Sequence, residues 1–330
     1  MVSLKHGGEW AEEIRRCGIP VVELHRCRRF QPSRLLGLWR AIRSFRPRLL
    51  VTFMFTASTY GRILALLGGV PHRVCCERGG DLKTPGRVCV ERLLARVTDA
   101  VVYNSKRNEA SGKASGIRAR TLTIYNGVEL TPPNPAEGDR LLRHLGVPPG
   151  ATLVGKVGQL HPRKDYPLFL EVAKRLAARP DLHFLIIGDG PERGRLERGV
   201  ETLGLAGRVT FTGQLADPLP LVARLRVKLV TSLREGMSNA LMEAMALGVP
   251  CVVSAAGAND ELITDGVEGY VVKDRDPAIF ARQVGALLDD PLLWQRLSEN
   301  ARRRAAGQLS VTRMVHSYEE LFTQILSDAS

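Results

Sequence analysis

The sequence is poor in several features that mark particular classes of protein. Aromatic residues make up only 5% of the chain, which disfavours a platform on which single-stranded nucleic acid would stack. No apolar run reaches the roughly 18–20 residues that a membrane-spanning helix needs, and residues 1–10 lack the apolar segment of a signal peptide. The six cysteines form no CxxC pair and no zinc-site spacing. Together these absences favour a protein of the reducing cytoplasm.

Charge is distributed unevenly along the chain. Residues 1–130 carry 23 Lys and Arg against 10 Asp and Glu, whereas residues 131–330 carry 24 of each. The whole net charge of +13 therefore lies in the first part. Such an excess indicates an anionic partner, for which an acidic membrane surface, a lipid pyrophosphate and an anionic polysaccharide are candidates. A generally arginine-rich composition explains the same excess without any partner.

Segments with strand and helix patterns alternate throughout, which predicts an α/β fold with parallel, doubly wound sheets. A length of 330 residues is comfortable for two domains. The NGV at 126–128 and the three prolines that follow it, which stiffen a linker, mark the best boundary. We therefore predict domains over 1–130 and 131–309, followed by a helix at 310–330.

The stretch at 231–250, TSLREGMSNALMEAMALGVP, carries the most informative pattern. It continues an apolar strand through a glycine turn to Ser238, a good helix N-cap, and to a run of strong helix formers that ends at Gly248. A strand, a glycine turn and a helix N-terminus in this order predict a phosphate site. Glu235 before the helix and Glu243 inside it can accept hydrogen bonds from hydroxyl groups on either side of that phosphate.

The segment EGMSNALME at 235–243, preceded by a strand and followed by AMALGVPCVVS, resembles the E-x7-E motif of retaining GT4-type glycosyltransferases. The resemblance covers nearly the whole chain and is strongest from about Gly155 to Val272. It implies the GT-B fold, in which two Rossmann-like domains face a central cleft. In that fold the second domain binds the donor, and the last helix crosses back toward the first, acceptor-side domain.

The same resemblance implies a function. The enzyme would transfer a hexose-type sugar from a UDP- or GDP-sugar to a hydroxyl group of a glycan or lipid-linked acceptor. Transfer would retain the configuration and would need neither metal nor cofactor. The expected setting is polysaccharide or lipopolysaccharide biosynthesis, in the cytoplasm or at the inner face of the membrane, which the basic first domain would contact. Nucleic acid is not an expected partner.

The two predicted catalytic residues are Glu235, which would hold hydroxyl groups of the transferred sugar, and Lys164, which would contact the donor phosphates. Lys164 belongs to an Arg163–Lys164 pair that resembles a basic pair of the family. Gln159 stands where the family usually has an arginine, and it brings a hydrogen bond but no charge. The loops around these residues contain no acidic cluster that would suggest a metal site.

The remaining donor contacts also come from the resemblance. Gly236 and Met237 would offer main-chain N–H groups to the diphosphate, Glu243 would hold the ribose, and residues 213–215 would border the base. The predicted donor-binding set is Gly158, Gln159, Arg163, Lys164, Gly188, Gly213, Gln214, Leu215, Glu235, Gly236, Met237, Asn239, Ala240, Leu241 and Glu243.

The acceptor side rests on weaker matches. Thr56 stands where many relatives have a histidine, Glu77 and Arg78 resemble a family pair in the acceptor cleft, and Asn104 would line the same edge. The opening residues contain no counterpart of the family's first strand, glycine-rich loop and long helix. The resemblance therefore predicts a truncated first domain.

Three alternatives stay open at this stage. A truncated or inactive homologue would bind the nucleotide-sugar without turnover, and Gln159 and Thr56 favour it. A non-hydrolysing sugar-nucleotide epimerase shares the architecture but needs further acidic and histidine groups. A nucleic-acid-binding module is suggested only by the basic first part of the chain.

Overall fold

The computed structural model describes residues 1–4, 10–24, 32–78 and 84–327 of the chain. The chain divides into two compact units. The first unit comprises Met1–Ile124 together with Ser317–Ser330, and the second comprises Tyr125–His316.

The first unit contains a parallel sheet with helices between its strands. Its strands are β1 (Val2–Ser3), β2 (Val22–Glu23), β3 (Leu49–Phe53), β4 (His72–Glu77), β5 (Ala100–Tyr103) and β6 (Arg120–Thr123). Its helices are α1 (Trp10–Arg16), α2 (Pro32–Phe45), α3 (Phe55–Leu67), α4 (Pro85–Ala95) and α5 (Lys106–Ala114). Strands β3 to β6 pair in that order, whereas β1 and β2 pair with each other.

The second unit repeats this alternation on a larger scale. Its strands are β7 (Thr152–Val157), β8 (Leu182–Ile187), β9 (Val209–Phe211), β10 (Val227–Val230), β11 (Cys251–Ser254) and β12 (Gly269–Val272). Its helices are α6 (Pro135–His144), α7 (Tyr166–Leu176), α8 (Arg193–Thr202), α9 (Leu219–Val222), α10 (Asn239–Ala246), α11 (Asn259–Leu262), α12 (Pro277–Asp289) and α13 (Pro291–Gln308).

The six strands of the second unit lie in the order β12-β11-β10-β7-β8-β9, and all neighbours are parallel. This is the strand order of a dinucleotide-binding Rossmann sheet, in which the chain reverses its direction of winding between the two central strands. Apolar residues cover both faces of the sheet, and all six residues of β8 are buried. The prediction of an α/β fold with parallel sheets in two Rossmann-like units is confirmed.

The segment that follows the first unit packs in the second. The main-chain N–H of Val128 donates to the carbonyl oxygen of Leu309 at 2.7 Å, and Val128 forms a β-bridge with Ser310. The predicted first domain, residues 1–130, includes this segment. Its pairing partner, Ser310, lies almost two hundred residues further along the chain. Local sequence patterns therefore do not predict this pairing.

The last helix, α14 (Val311–Ser327), belongs to both units. It starts in the second unit and continues from Ser317 in the first. There Tyr318 accepts a hydrogen bond from Arg78 at 3.4 Å, and its ring packs on that of Phe322 with centroids 5.7 Å apart. In the described ranges, none of the helices combines the length and the hydropathy needed to cross a bilayer.

Candidate functional site

The candidate site lies where β7 and β10 end, side by side at the centre of the second unit's sheet. The sheet's order of strands reverses between these two, and open α/β sheets bind their ligands outside the carboxyl ends of the strands at such a point. Gly158 follows β7 directly, and Thr231 follows β10 directly. The loops that carry most of the predicted donor-binding residues therefore start at this position.

The two predicted catalytic residues contact each other. The ammonium of Lys164 lies 2.6 Å from Oε1 of Glu235, and the Ser232 hydroxyl donates to the same oxygen at 2.7 Å. The side chains are 16% and 9% exposed, so the pair is partly shielded but still reachable from solvent. A charge-assisted hydrogen bond in such surroundings is stronger than one in water. The structure thus brings together two residues that are 71 positions apart.

A short 3₁₀ turn at Pro162–Lys164 presents the lysine. The turn begins at His161, whose ring accepts a hydrogen bond from the main-chain N–H of Arg163 at 3.2 Å. Leu233, in the loop after β10, donates its main-chain N–H to the Arg163 carbonyl at 2.8 Å. The two loops are therefore tied by main-chain contacts as well as by the ion pair. The side chain of Arg163 itself is exposed, and so is that of Gln159.

The glycine turn after β8 packs too closely against the turn after β7 to admit a side chain. Gly188 has a φ of +136°, and a Cβ there would lie 2.3 Å from the carbonyl oxygen of Gly158. The N–H of Gly158 donates to Ile187 at 2.9 Å, and Gly188 bridges Gly213. These contacts bring the loops of Gly158, Gly188 and Gly213 next to one another. Next to them the side chain of Gln214 is exposed, and that of Leu215 packs against the core.

The loop before α10 leaves main-chain donors available. Ser238 caps the helix by accepting from the N–H of Leu241 at 3.3 Å, as the sequence predicts. Within the part of the chain that the structure describes, neither the N–H of Gly236 nor that of Met237 has an acceptor. Free N–H groups at the positive end of a helix suit an anion. The side chain of Met237 is buried in the core, so only its main chain can serve a ligand.

Asn239 and Ala240 begin α10, and both have partners. The Asn239 side chain accepts a hydrogen bond from the Asn126 amide at 2.8 Å, and the carbonyl oxygen of Ala240 accepts one from the Lys228 ammonium at 2.7 Å. Leu241 is fully buried. These contacts fix the start of the helix that carries Glu243.

Glu243 is half-buried on α10, one helical turn beyond the loop. Desolvation raises the pKa of its carboxyl group, while the charge of Lys228 acts in the opposite direction. A partly desolvated carboxylate is stabilised by hydroxyl groups that donate hydrogen bonds in place of the lost water. The structure thus offers a second acidic acceptor on the helix side of the site.

Sequence reasoning missed two lysines that support the site. Lys156 on β7 and Lys228 on β10 are each almost fully buried. A single lysine inside an apolar strand, as in TLVGKV and VKLV, is the signal that was available, because a buried lysine almost always has a specific partner. Lys228 contacts α10 as described above, and Lys156 contacts the segment that carries Lys164.

The acceptor-side predictions lie at the carboxyl ends of three neighbouring strands of the first unit, β3, β4 and β5. Thr56 is exposed in the first turn of α3. Glu77 is 6% exposed and lies 3.7 Å from the Cys75 sulfur, whereas Arg78 contacts Tyr318. Asn104 is buried and donates to the main-chain oxygen of Arg78 at 3.3 Å. Glu77 and Asn104 are thus occupied by contacts within the unit.

One group in the described ranges has the side-chain types and spacing to hold a metal ion. The ligand atoms of Cys75, Glu77 and Glu91 lie within 4.8 Å of one another, and all three are buried in the first unit. Arg62 already donates to both oxygens of Glu91, at 2.6 and 2.7 Å. The guanidinium already neutralises Glu91, so that part of the cluster is a buried ion pair.

Comparison with protein families gives two matches that together span most of the chain. A model of the family described as glycosyl transferases group 1 matches residues 139–304. A second model, described as a glycosyl transferase 4-like domain, matches residues 2–127. The boundary between the matches falls in the segment where the second unit begins.

Curated relatives point to the same class. The chain is 26% identical over 307 residues to an Escherichia coli UDP-Gal:α-D-GlcNAc-diphosphoundecaprenol α-1,3-galactosyltransferase, covering 88% of this chain and 79% of that one. It is 34% identical over 251 residues to the 2-deoxystreptamine glucosyltransferase of Streptomyces kanamyceticus, covering 70% and 65%. Among solved structures, HepE of Anabaena in complex with UDP superposes with a TM-score of 0.84 at 24% identity, covering 96% and 90%.

Proposed function

The chain belongs to the group 1 glycosyl transferases, and on that premise we propose that it moves a hexose-type sugar from a UDP- or GDP-sugar to a hydroxyl group of a glycan or lipid-linked acceptor. We further propose that the transfer retains configuration and needs no metal. The observation that carries the proposal is the contact between Lys164 and Glu235 at the point where the sheet reverses its winding. In this scheme residues 131–309 bind the donor and residues 1–130 receive the acceptor.

Breaking the bond between sugar and diphosphate puts negative charge on the leaving phosphate. Preorganised positive groups stabilise such charge most when they are fixed before the reaction and shielded from water. Lys164 supplies a fixed ammonium, and Gly236 and Met237 supply main-chain N–H groups at the start of α10. Together they would hold the diphosphate from two sides.

The two glutamates would bind the two sugar groups of the donor. Glu235 lies beside the phosphate-binding ammonium, so its carboxylate would hold hydroxyl groups of the sugar being transferred. Glu243 lies on the helix, and its carboxylate would hold the ribose. The exposed Arg163 and Gln159 would complete the phosphate contacts, and the loops of Gly158, Gly188 and Gly213–Leu215 would surround the nucleotide.

The relatives support the classes of donor and acceptor. The name of the Escherichia coli enzyme specifies a UDP-sugar as donor and a sugar on a polyprenyl diphosphate as acceptor. The name of the Streptomyces enzyme specifies glucose transfer to 2-deoxystreptamine. A lipid-linked acceptor also fits the basic first part of this chain, which we propose contacts an anionic membrane surface on its cytoplasmic side.

A second candidate is a homologue that binds the nucleotide-sugar without turnover. Two observations favour it. Gln159 gives the phosphate site no charge where the family usually has an arginine, and Glu77 and Asn104 are buried in internal contacts. This candidate keeps the donor site and loses only the transfer.

The test is a panel of UDP- and GDP-sugars incubated with the purified chain, with and without hydroxyl acceptors such as a prenyl-diphosphate-linked sugar. Release of nucleoside diphosphate that depends on the acceptor supports transfer, and the anomeric proton of the product by NMR reports retention. A repeat in excess EDTA tests independence from metal. Tight binding of UDP or GDP with no release from any donor would favour the second candidate.

A further inference from the structure

The ammonium of Lys156 is buried beneath the candidate site. Lys156 lies on β7 and is 2% exposed. Its Nζ donates to the main-chain oxygen of Lys164, to that of Asp165 at 3.3 Å, and to the hydroxyl of Thr231. It also lies 4.3 Å from the centroid of the Tyr166 ring, which adds a cation–π contact. Its three hydrogen bonds match the three donors that an ammonium has.

A charged group at this depth is not needed for packing. Val154, two residues earlier on the same strand, is fully buried as an apolar side chain. Burying an ammonium costs free energy unless hydrogen bonds replace its water. Desolvation accordingly lowers the pKa of Lys156 well below its usual value, with Asp165 and Glu235 acting against the shift and Lys164 and Arg275 adding to it.

The contacts of Lys156 join two loops. Lys164 and Asp165 follow β7, and Thr231 follows β10. The Thr231 hydroxyl in turn donates to the Asp165 carbonyl at 2.6 Å, so both loops share one hydrogen-bond network. Asp165 has a φ of +49°, a left-handed conformation that is uncommon for residues other than glycine and that aspartate adopts more readily than most. Asp165 also caps α7 and pairs with Arg275.

We propose that Lys156 is a positioning residue for the donor diphosphate. Its ammonium fixes the main chain of Lys164 and Asp165 against Thr231, and this fixes the place of the Lys164 side chain beside Glu235. The inference rests on the proposed function, because it assigns Lys156 a role in the same phosphate site. Lys156 is not a catalytic residue, since it reaches the donor only through Lys164.

The test compares nucleotides that differ in one phosphate. Binding of UDP, UMP, GDP and GMP to the full chain is measured by calorimetry for the wild type, Lys156→Met, Thr231→Val and Val154→Ala. We expect Lys156→Met to weaken diphosphate binding by at least about tenfold, the loss of a charge-assisted contact, and monophosphate binding by much less. Thr231→Val removes one hydroxyl group of the same network. It should lower the ratio of diphosphate affinity to monophosphate affinity, as Lys156→Met does.

Val154→Ala is the matched control on the same strand. It opens a space in the core and should lower Tm, but it leaves the hydrogen bonds of Lys156 in place, so the ratio of diphosphate to monophosphate affinity should equal that of the wild type. If the role of Lys156 is purely structural, its replacement should weaken the binding of diphosphates and monophosphates by the same factor. If Lys156→Met does not fold, the ratio in Thr231→Val decides the matter.

The outcomes separate the two proposals. One outcome is that the wild type binds UDP or GDP and that Lys156→Met and Thr231→Val keep its ratio of diphosphate to monophosphate affinity. This outcome overturns the positioning role and leaves the proposed function standing. A wild type that binds neither diphosphate overturns the proposed function, and the positioning role with it.

Discussion

Gly257 lies directly against the main chain of Glu235. A Cβ on Gly257 would come within 2.0 Å of the Glu235 carbonyl oxygen and 2.9 Å of its Cβ, and the φ of Gly257 is +63°. The next residue, Ala258, donates its N–H to the carbonyl of Gly236 at 3.2 Å. The loop after β11 therefore supports the loop that carries Glu235, and it can do so only while position 257 has no side chain.

Gly257→Ala should therefore displace Glu235 and reduce turnover. The loop must move by more than 1 Å to relieve the contact, and misplacement on that scale commonly costs on the order of 10–100-fold in rate. Gly266→Ala is the matched control, since Gly266 has a φ of +76° with nothing within 4 Å of the added Cβ. Both variants should lose about 1 kcal/mol of stability through backbone strain. Equal turnover in the two variants would contradict the prediction.

Helix α10 and its cap were predictable because their signals are local. A strand pattern, a glycine turn, Ser238 as N-cap and Gly248 as terminator all lie within one short stretch, and the structure has α10 between them. Lys164 and Glu235 were both named from the family resemblance, and they meet in the structure because β7 and β10 are neighbours whose carboxyl ends lie at one edge of the sheet.

Other features depend on partners that sequence does not reveal. Lys156 is held by main-chain carbonyls, which are the same for every residue type, and by Thr231 in the loop after β10. Glu77 and Arg78 were named from their resemblance to a family pair, and that resemblance does not reveal that Glu77 contacts Cys75 and Arg78 contacts Tyr318. The pairing of Val128 with Ser310 joins distant segments without any sequence signal.

Lys164→Ala and Glu235→Ala should each reduce kcat by at least about 100-fold, the scale of losing one preorganised electrostatic contact. Because the two side chains touch, the double variant should lose far less than the product of the single losses. Arg179 and Asp289 form an exposed ion pair, with contacts at 2.7 and 2.5 Å, which serves as control. Their single and double alanine variants should leave kcat unchanged. If the fold loss of kcat in the double variant equals the product of the two single losses, Lys164 and Glu235 act independently.

Glu243→Ala should separate binding from chemistry. If Glu243 holds the ribose, which is far from the reacting bond, its loss should raise the donor KM by about tenfold and change kcat little. Glu235→Ala should do the reverse. Glu299, an exposed glutamate on α13, is the control and should alter neither constant when replaced by alanine. A fall in kcat for Glu243→Ala with KM unchanged would place Glu243 at the reacting centre instead.

Glu77 should make the stability of the chain depend on pH. Desolvation raises the pKa of its carboxyl group from 4.5 to about 7 in the folded state, the charge of Glu91 adds to the shift, and Arg62 opposes it. The protonated form therefore stabilises the fold. This contribution is fully present below the unfolded pKa and is lost as pH rises through about 7, and the shift corresponds to roughly 3 kcal/mol.

The measurement compares denaturant unfolding of the wild type and Glu77→Gln between about pH 4 and about pH 8.5. Glutamine keeps the shape of the neutral carboxyl but cannot ionise, so the variant should match the wild type at the acid end and exceed its stability at the alkaline end. Glu12→Gln, which changes an exposed glutamate of the same unit, should follow the wild type throughout. Parallel curves for wild type and Glu77→Gln would mean that Glu77 is already ionised in the folded protein, with Arg62 shared between it and Glu91.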